Sequence, residues 1–292
     1  IGPLPRHRQQ FGDIIHNDVV DATEGATLDP LNHLVINDDI NAGSGDIYLF
    51  AGDSIQIDLG AGGGTQINTT SRLTLLASQG DTTTYQNNNT ANPKIFENDN
   101  VGSITHTDGN INADELVAFA ENGIQLGLDA AGDRMTVNSL QAVNRGSGQV
   151  AGDLVPRGDI TLIADGDVTV EAIDATMSTN GILNTALDSV TGLPDGNDGG
   201  ISLELTSSGT LLVDDRVYTN GSLLLDTDGT IIVNAGLIAI NGPVLLHDTI
   251  YPVPGADPNV IFTGNGYVLT YGPADYILIT TDEDPGNELP DL

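Results

Sequence analysis

Apolar and polar residues alternate in short runs along much of the chain. In GDIYLFAGDSIQID (45–58), Ile47 and Leu49 flank Tyr48, and Ile55 and Ile57 flank Gln56. In GDITLIADGDVTVE (158–171), Ile160 and Leu162 are followed by Val168 and Val170. Both stretches open on Gly-Asp, and in both the second run starts 8 residues after the first. GGISLELTSSGTLLVDD (199–215) stretches that offset to 10, from Ile201 to Leu211, and GSLLLDTDGTIIVNAG (221–236) returns it to 8, from Leu223 to Ile231. A period of two marks strands that bury one face. These strands are short, about 3 to 5 residues each.

The runs recur. Ile201, Leu223 and Val244 begin equivalent stretches 22 and then 21 residues apart. A recurrence of about 20 residues is the signature of a solenoid. Each repeat would hold two or three strands separated by Gly, Asp or Asn turns, and repeats would stack by parallel pairing at about 4.8 Å. The fold expected is all-β, a parallel β-helix. If every residue took part there would be roughly 14 repeats, fewer with insertions. A β-sandwich is the alternative, but its strands run longer, and here glycines sit at fixed places before the strand pairs.

Three regions leave the pattern. Residues 1–44 are irregular and read as an N-terminal cap or docking segment over an open sheet edge. Within the solenoid body, 45–250, the polar stretches 78–100 and 176–200 read as loops. Residues 251–292 are rich in Tyr and Pro and read as a C-terminal cap or an interface, with Tyr251, Tyr267, Tyr271 and Tyr276 as its contact residues. One helix is expected, at NADELVAFAENG: Asn112 would cap it, Glu115 follows three residues later, and Gly123 would end it.

Charge narrows the partners. The net charge is −33, from 41 acidic and 8 basic residues. Lys94 is the one lysine, and no Lys or Arg follows Arg216. Phosphate binding needs clustered Lys and Arg, so nucleic acid is not an expected partner, nor is an anionic membrane. No apolar run reaches the length of a membrane span. The acidity is mostly Asp, 33 against 8 Glu, which suits turns more than helix surfaces. With no cysteine there is no disulfide and no thiol chemistry. The start, IGPLPRHRQQ, has neither Met nor an apolar core of a signal peptide, which reads as a processed chain or a piece of a longer one.

Candidate chemistry is sparse. THTDGNINADEL partly matches a calcium-binding EF-hand loop: Asp108, Asn110, Asn112 and Glu115 fall at ligand positions, with Gly109 at the glycine position. The first ligand position would be Ile104, which cannot coordinate. A second calcium route lies in the turns ADGD and DTDG, where Asp165 and Asp167 would stack near Asp226 and Asp228. Ca²⁺ is the one cofactor these residues suggest, in a structural role. The five histidines form no HExxH and the chain has no GxSxG, so neither a zinc nor a serine hydrolase site is indicated. Polysaccharide processing would use paired carboxylates. Asp38-Asp39 and Asp214-Asp215 are adjacent, but neighbours on a strand point to opposite faces. In LVPRGDITLIADGDVTV (154–170), LVPRG resembles a thrombin site and Arg157-Gly158-Asp159 an integrin tripeptide. Gly158-Asp159 also opens a strand pair as Gly45-Asp46 does, so the repeat accounts for the tripeptide, while LVPRG reads either as a natural turn punctuated by Pro156 or as an engineered cleavage site.

GDITLIADGDVTVEA, GGISLELTSSGTLLVDD and GSLLLDTDGTIIVNAGLIAINGPVLL resemble the repeats of large bacterial exoproteins of the filamentous-haemagglutinin type. The resemblance covers 45–62 and 158–250. It implies a right-handed parallel β-helix, secreted to the cell surface or the extracellular space, acting as an adhesin or in a matrix. It carries over no catalytic residue. The function expected is a structural or adhesive β-solenoid, with self-association into filaments or a surface glycan or receptor as partner. The alternative is a carbohydrate-binding or carbohydrate-cleaving β-helix.

Overall fold

A computed structural model describes residues 33–59, 66–77, 102–128, 134–145, 158–185, 199–248, 260–271 and 277–281, with four short strands nearer the start. Among these residues all regular structure is β, and every strand pairing is parallel. The sheet is open, and most strands pair with the strand three places on in the chain. The result is solenoid-like, with three ladders running side by side.

The first ladder holds ten strands: Ile14–His16, Leu34–Ile36, Ile55–Asp58, Ile104–Asp108, Ile124–Leu126, Ile160–Ala164, Ile201–Leu205, Leu223–Thr227, Val244–Asp248 and Ile277–Thr281. At strand spacing that is about 43 Å of ladder. The second begins Val20–Asp21, Ile40–Asn41 and Gln66–Asn68, and ends Thr210–Val213, Thr230–Val233 and Val260–Phe262. The third runs from Arg6–His7 through Ala26–Leu28, Ile47–Ala51 and Arg72–Ala77 to Val217–Thr219, Gly236–Ala239 and Tyr267–Thr270. The second ladder steps sideways midway. Met135 pairs with Ala164, while Ser139 and Leu140 pair with Thr169 and Val170.

Alternation builds the core. Ile55, Ile104, Ile124, Ile160, Ile201, Leu223 and Val244 lie in register on the first ladder and are at most 2% exposed. Burying each large aliphatic side chain contributes about 1.5–3 kcal/mol, so these columns dominate the fold's stability. One histidine interrupts them. His106 pairs with Ile57 and is fully buried. Its Nδ1 accepts the Gly127 N–H at 3.2 Å, which leaves the proton on Nε2 to donate to the Asp108 carbonyl at 3.0 Å.

The expected helix is a strand, Asn110–Ala120. Its first part extends the second ladder through Asn110–Asn112, and its second part extends the third from Glu115. The Ser71 carbonyl accepts both the Asp114 and Glu115 N–H groups at the corner between them. The run LVAFA reads as either element because it is buried on both faces. Leu116, Ala118 and Ala120 join the main core. Val117 and Phe119 point the other way, into a second cluster with Leu76, Val143, Met177 and Leu183.

The regions set apart by composition also supply ladder strands. Leu34–Ile36 and Ile40–Asn41 lie within 1–44, Ile182–Asn184 within 176–200, and the three last strands within 251–292. The loop read at 78–100 lies outside the described residues.

Candidate functional site

One corner of the ladders, where the chain passes from the third to the first, collects the features that could act. Three long stretches between described segments, 78–101, 146–157 and 186–198, each follow a third-ladder strand and precede a first-ladder strand. The ladders stay in register across them: Leu73 still pairs with Leu116, and Ile160 with Ile201.

Two buried asparagines hold this corner. Asn144 and Asn184 are register partners, each 0% exposed. Asn144 Nδ2 donates to the Gly158 carbonyl at 2.9 Å and to Asn184 Oδ1 at 3.1 Å, and its own Oδ1 accepts the Gly123 N–H at 3.1 Å. Asn184 Nδ2 donates to the Gly200 carbonyl at 3.0 Å. Each asparagine therefore ties the end of a third-ladder strand to the start of a first-ladder strand. A shallow cleft of about 220 Å³ opens beside them, with Ser103, Thr105, Asn122, Gln125, Asp159 and Thr161 supplying its polar groups.

Asp159 belongs to this cleft and to the frame. Its carboxylate accepts the Gly200 N–H at 2.8 Å. Burial pushes its pKa up, and the Gly200 and Gly199 N–H groups work against that shift. Asp46 acts similarly across one repeat, accepting from Ser71 Oγ at 2.5 Å, Tyr48 Oη at 3.0 Å and the Arg72 N–H at 3.3 Å. The two Gly-Asp starts share that local role but not the same place. Asp46 precedes a third-ladder strand and Asp159 a first-ladder strand. Arg157 lies outside the described residues.

The calcium candidates are dispersed among frame contacts. Asp108 and Asn110 flank Gly109, whose φ is +88°. Asn110 Oδ1 accepts the Arg134 N–H at 3.1 Å, and Asn112 Nδ2 faces Gln66 Oε1 at 3.4 Å. Glu115 pairs with Arg72 at 2.6 Å. Strands replace the loop and helix that an EF-hand would need. Asp165 pairs with Arg134 at 2.9 Å, Asp167 accepts the Thr210 N–H at 2.7 Å, and Asp226 meets His247 Nδ1 at 2.9 Å. Asp228 is exposed. The turns ADGD and DTDG share one stack, but the turn at Ser207–Gly209 lies between them. Ser207 Oγ accepts the Gly166 N–H, and a Cβ on Gly229 would meet the Gly209 carbonyl oxygen at 2.0 Å. Among the described residues no three His, Asp or Glu side chains converge where they could hold a metal ion.

Tyr267 and Tyr271 are 40% and 54% exposed at the far end of the third ladder. Tyr251 and Tyr276 lie outside the described residues.

Sequence reading missed the threonine clasps. Thr69, Thr219 and Thr227 are buried at strand ends. Each hydroxyl donates to a glycine carbonyl of the preceding repeat: Gly45, Gly199 and Gly209. Each also accepts an N–H two residues on, from Ser71, Gly221 or Gly229. The available signal was a Thr followed two residues later by Ser or Gly, as in TTS, TNG and TDG.

No protein-family model, no curated protein and no solved structure matches this chain.

Proposed function

We propose that the chain is a secreted structural or adhesive β-solenoid of a bacterial surface, matrix or extracellular filament, its three ladders winding as a right-handed parallel β-helix. Stacked aliphatic columns and uniformly parallel pairing support the winding. Parallel connections are overwhelmingly right-handed, and the resemblance of 158–250 to filamentous-haemagglutinin-type repeats agrees.

The observation that carries the adhesive reading is the shared corner. The three longest stretches between described segments each connect a third-ladder strand to a first-ladder strand, and a polar cleft lies at that corner. In repeat proteins such insertions gather on the binding face, held by a rigid scaffold. The mechanism is mechanical. The aliphatic core keeps the rod stiff, the acidic exterior keeps rods apart, and the corner presents polar groups to a surface glycan or receptor.

The test uses the purified chain on beads against glycan-coated and cell surfaces. Binding should occur, and it should fall when 78–101 is replaced by a short Gly-Ser linker while the circular dichroism stays that of the parent. Equal binding after the replacement would overturn the corner's role. Release of new reducing ends from a glycan would establish the polysaccharide-processing reading instead.

A further inference from the structure

The first ladder carries a row of polar side chains beside the asparagine corner. Thr105, Gln125 and Thr161 are register partners on three successive strands, and all three line the cleft. Two residues earlier on the same strands stand Ser103, Gly123 and Asp159. The middle position has no side chain, so the row is open there, between a hydroxyl and a carboxylate. Backbone packing keeps it open. A Cβ on Gly123 would meet the Gly158 Cα at 2.9 Å, and one on Gly158 would meet the Asn122 carbonyl oxygen at 2.5 Å. Gly123 also holds a φ of +109°, which side chains disfavour. The opening therefore belongs to the frame and does not depend on how side chains turn.

The lining selects a ligand by what it offers. It holds hydroxyls on Ser103, Thr105 and Thr161, the Gln125 amide, and one charged group, the Asp159 carboxylate. None of the lining residues is Lys or Arg, so an anion finds no counter-charge there. Ile104 and Ile124 are 0% and 1% exposed, so the cleft offers little apolar surface. Acceptors predominate. Asp159 Oδ1 accepts the Gly200 N–H at 2.8 Å, and a carboxylate has about four acceptor sites, so capacity remains. Asn122, also in the lining, has a buried Oδ1 with no hydrogen-bond partner. A buried acceptor left in that way calls for a donor. A fitting ligand is neutral and brings several donors, and sugar hydroxyls meet both demands because each donates one hydrogen bond and accepts others. Size sets the limit. The cleft's volume of about 220 Å³ lies below the roughly 300 Å³ at which pockets for drug-sized ligands begin, which leaves room for one ring and not for a chain.

We propose that this cleft binds one neutral sugar residue, with the sugar hydroxyls donating to the Asp159 carboxylate and bonding to Thr105, Gln125 and Thr161. The Asn122 amide turns toward the ring and supplies Oδ1 as a further acceptor. The proposal rests on the adhesive reading of this corner and names what the corner takes: a neutral glycan, with acidic ones turned away.

Ligand-observed NMR of the full chain tests it, using glucose, galactose, mannose and N-acetylglucosamine, with glucuronate and ethylamine as charged probes. At least one neutral sugar should bind with a Kd of about 1 mM, the strength expected of so small a ligand, and neither charged probe should displace it. Thr161→Val with Gln125→Ala, both at outward-facing positions, should weaken that binding about tenfold. Gln56→Ala, in the same row but outside the cleft, should leave it unchanged. Thr161→Val alone replaces the double variant if that one loses its β signal. Absence of binding by all four neutral sugars overturns the proposal. So does tighter binding of glucuronate or ethylamine, or a double variant that binds as the parent does. The bead assay separates this from the reading beneath it. Beads that hold to a cell surface while no sugar binds in solution sink the cleft alone, and beads that hold to no surface sink the adhesive reading with it.

Discussion

The side chain of Gln141, fully buried on the outer side of the third ladder, is bonded to the backbone of Asp174 at both ends of its amide. Its Oε1 accepts the Asp174 N–H at 2.7 Å, and its Nε2 faces the carbonyls of Asp174, Ser178 and Asn180 at 3.4, 3.0 and 3.2 Å. One glutamine thus satisfies a segment that would otherwise lie unpaired over apolar strands. Arg145 adds a bond to the Met177 carbonyl at 2.7 Å. Met177 and Ile173, from that segment, pack on Leu76, Val117, Phe119 and Val143.

Gln141→Leu keeps the bulk and removes every bond that Gln141 makes to the segment, leaving the Arg145 bond in place. A buried backbone group left unpaired costs about 1–3 kcal/mol. The urea midpoint should fall accordingly, and amide exchange should accelerate first within 173–180. Unchanged exchange there would show that packing and the Arg145 bond hold the segment without Gln141.

The threonine clasps make a sharper prediction. Thr227→Val preserves shape and deletes the hydroxyl that joins the Gly209 carbonyl to the Gly229 N–H. Destabilisation of about 1–3 kcal/mol is expected. Thr230→Val, on the same turn but only partly buried, should change the urea midpoint far less. Equal effects would remove the clasp's special role.

Two aspartates of the repeat should respond to pH with opposite sign. Burial raises the Asp46 pKa, but hydrogen bonds from Ser71, Tyr48 and the Arg72 N–H outweigh it and hold it below the ordinary value. A lowered folded pKa contributes stability above the unfolded value, about 3.9, that is lost as pH falls through the folded value. Asp159 is raised by burial. Its contribution is present below about 3.9 and lost as pH rises through the raised folded value. At neutral pH, Asp46→Asn should therefore lower the melting temperature, and Asp159→Asn, which keeps an acceptor for the Gly200 N–H, should raise it. Melting curves from pH 3 to pH 7, roughly spanning both regimes, check the pair. Shifts of the same sign would contradict the environments described.

His106 offers a spectroscopic test. The Gly127 N–H points at Nδ1 and the Asp108 carbonyl faces Nε2, so nitrogen chemical shifts should report the Nε2–H tautomer. The opposite tautomer would mean that one of the two contacts is not made.

Much of this frame is legible in the amino-acid sequence. The alternation at Ile47/Leu49, Ile160/Leu162 and Leu223/Leu225 marks strands because one face of each is buried and the other is not. The offsets misled where they looked most regular. Eight residues separate Ile47 from Ile55, and eight separate Ile160 from Val168. Yet the first step runs from third ladder to first and the second from first to second. Steps between different pairs of ladders have the same length, so spacing alone does not say which ladder a strand occupies. The helix expected at 112–123 failed for a different reason. The second cluster buries Val117 and Phe119 from outside, which erases the alternation that identifies a strand. The corner at Asn144 and Asn184 was hidden because those residues are 40 positions apart in sequence, and only stacking makes them neighbours.

The register across the interrupted corner has a practical consequence. Ala77 ends one strand in step with Ala51, and Ile104 starts another in step with Ile55, although 26 residues lie between Ala77 and Ile104. The scaffold therefore does not measure what is spliced in at that point. Foreign peptides of varied size should be graftable there and at the sites before Gly158 and Gly199, displayed in a row along one edge at spacings set by the host and not by the cargo.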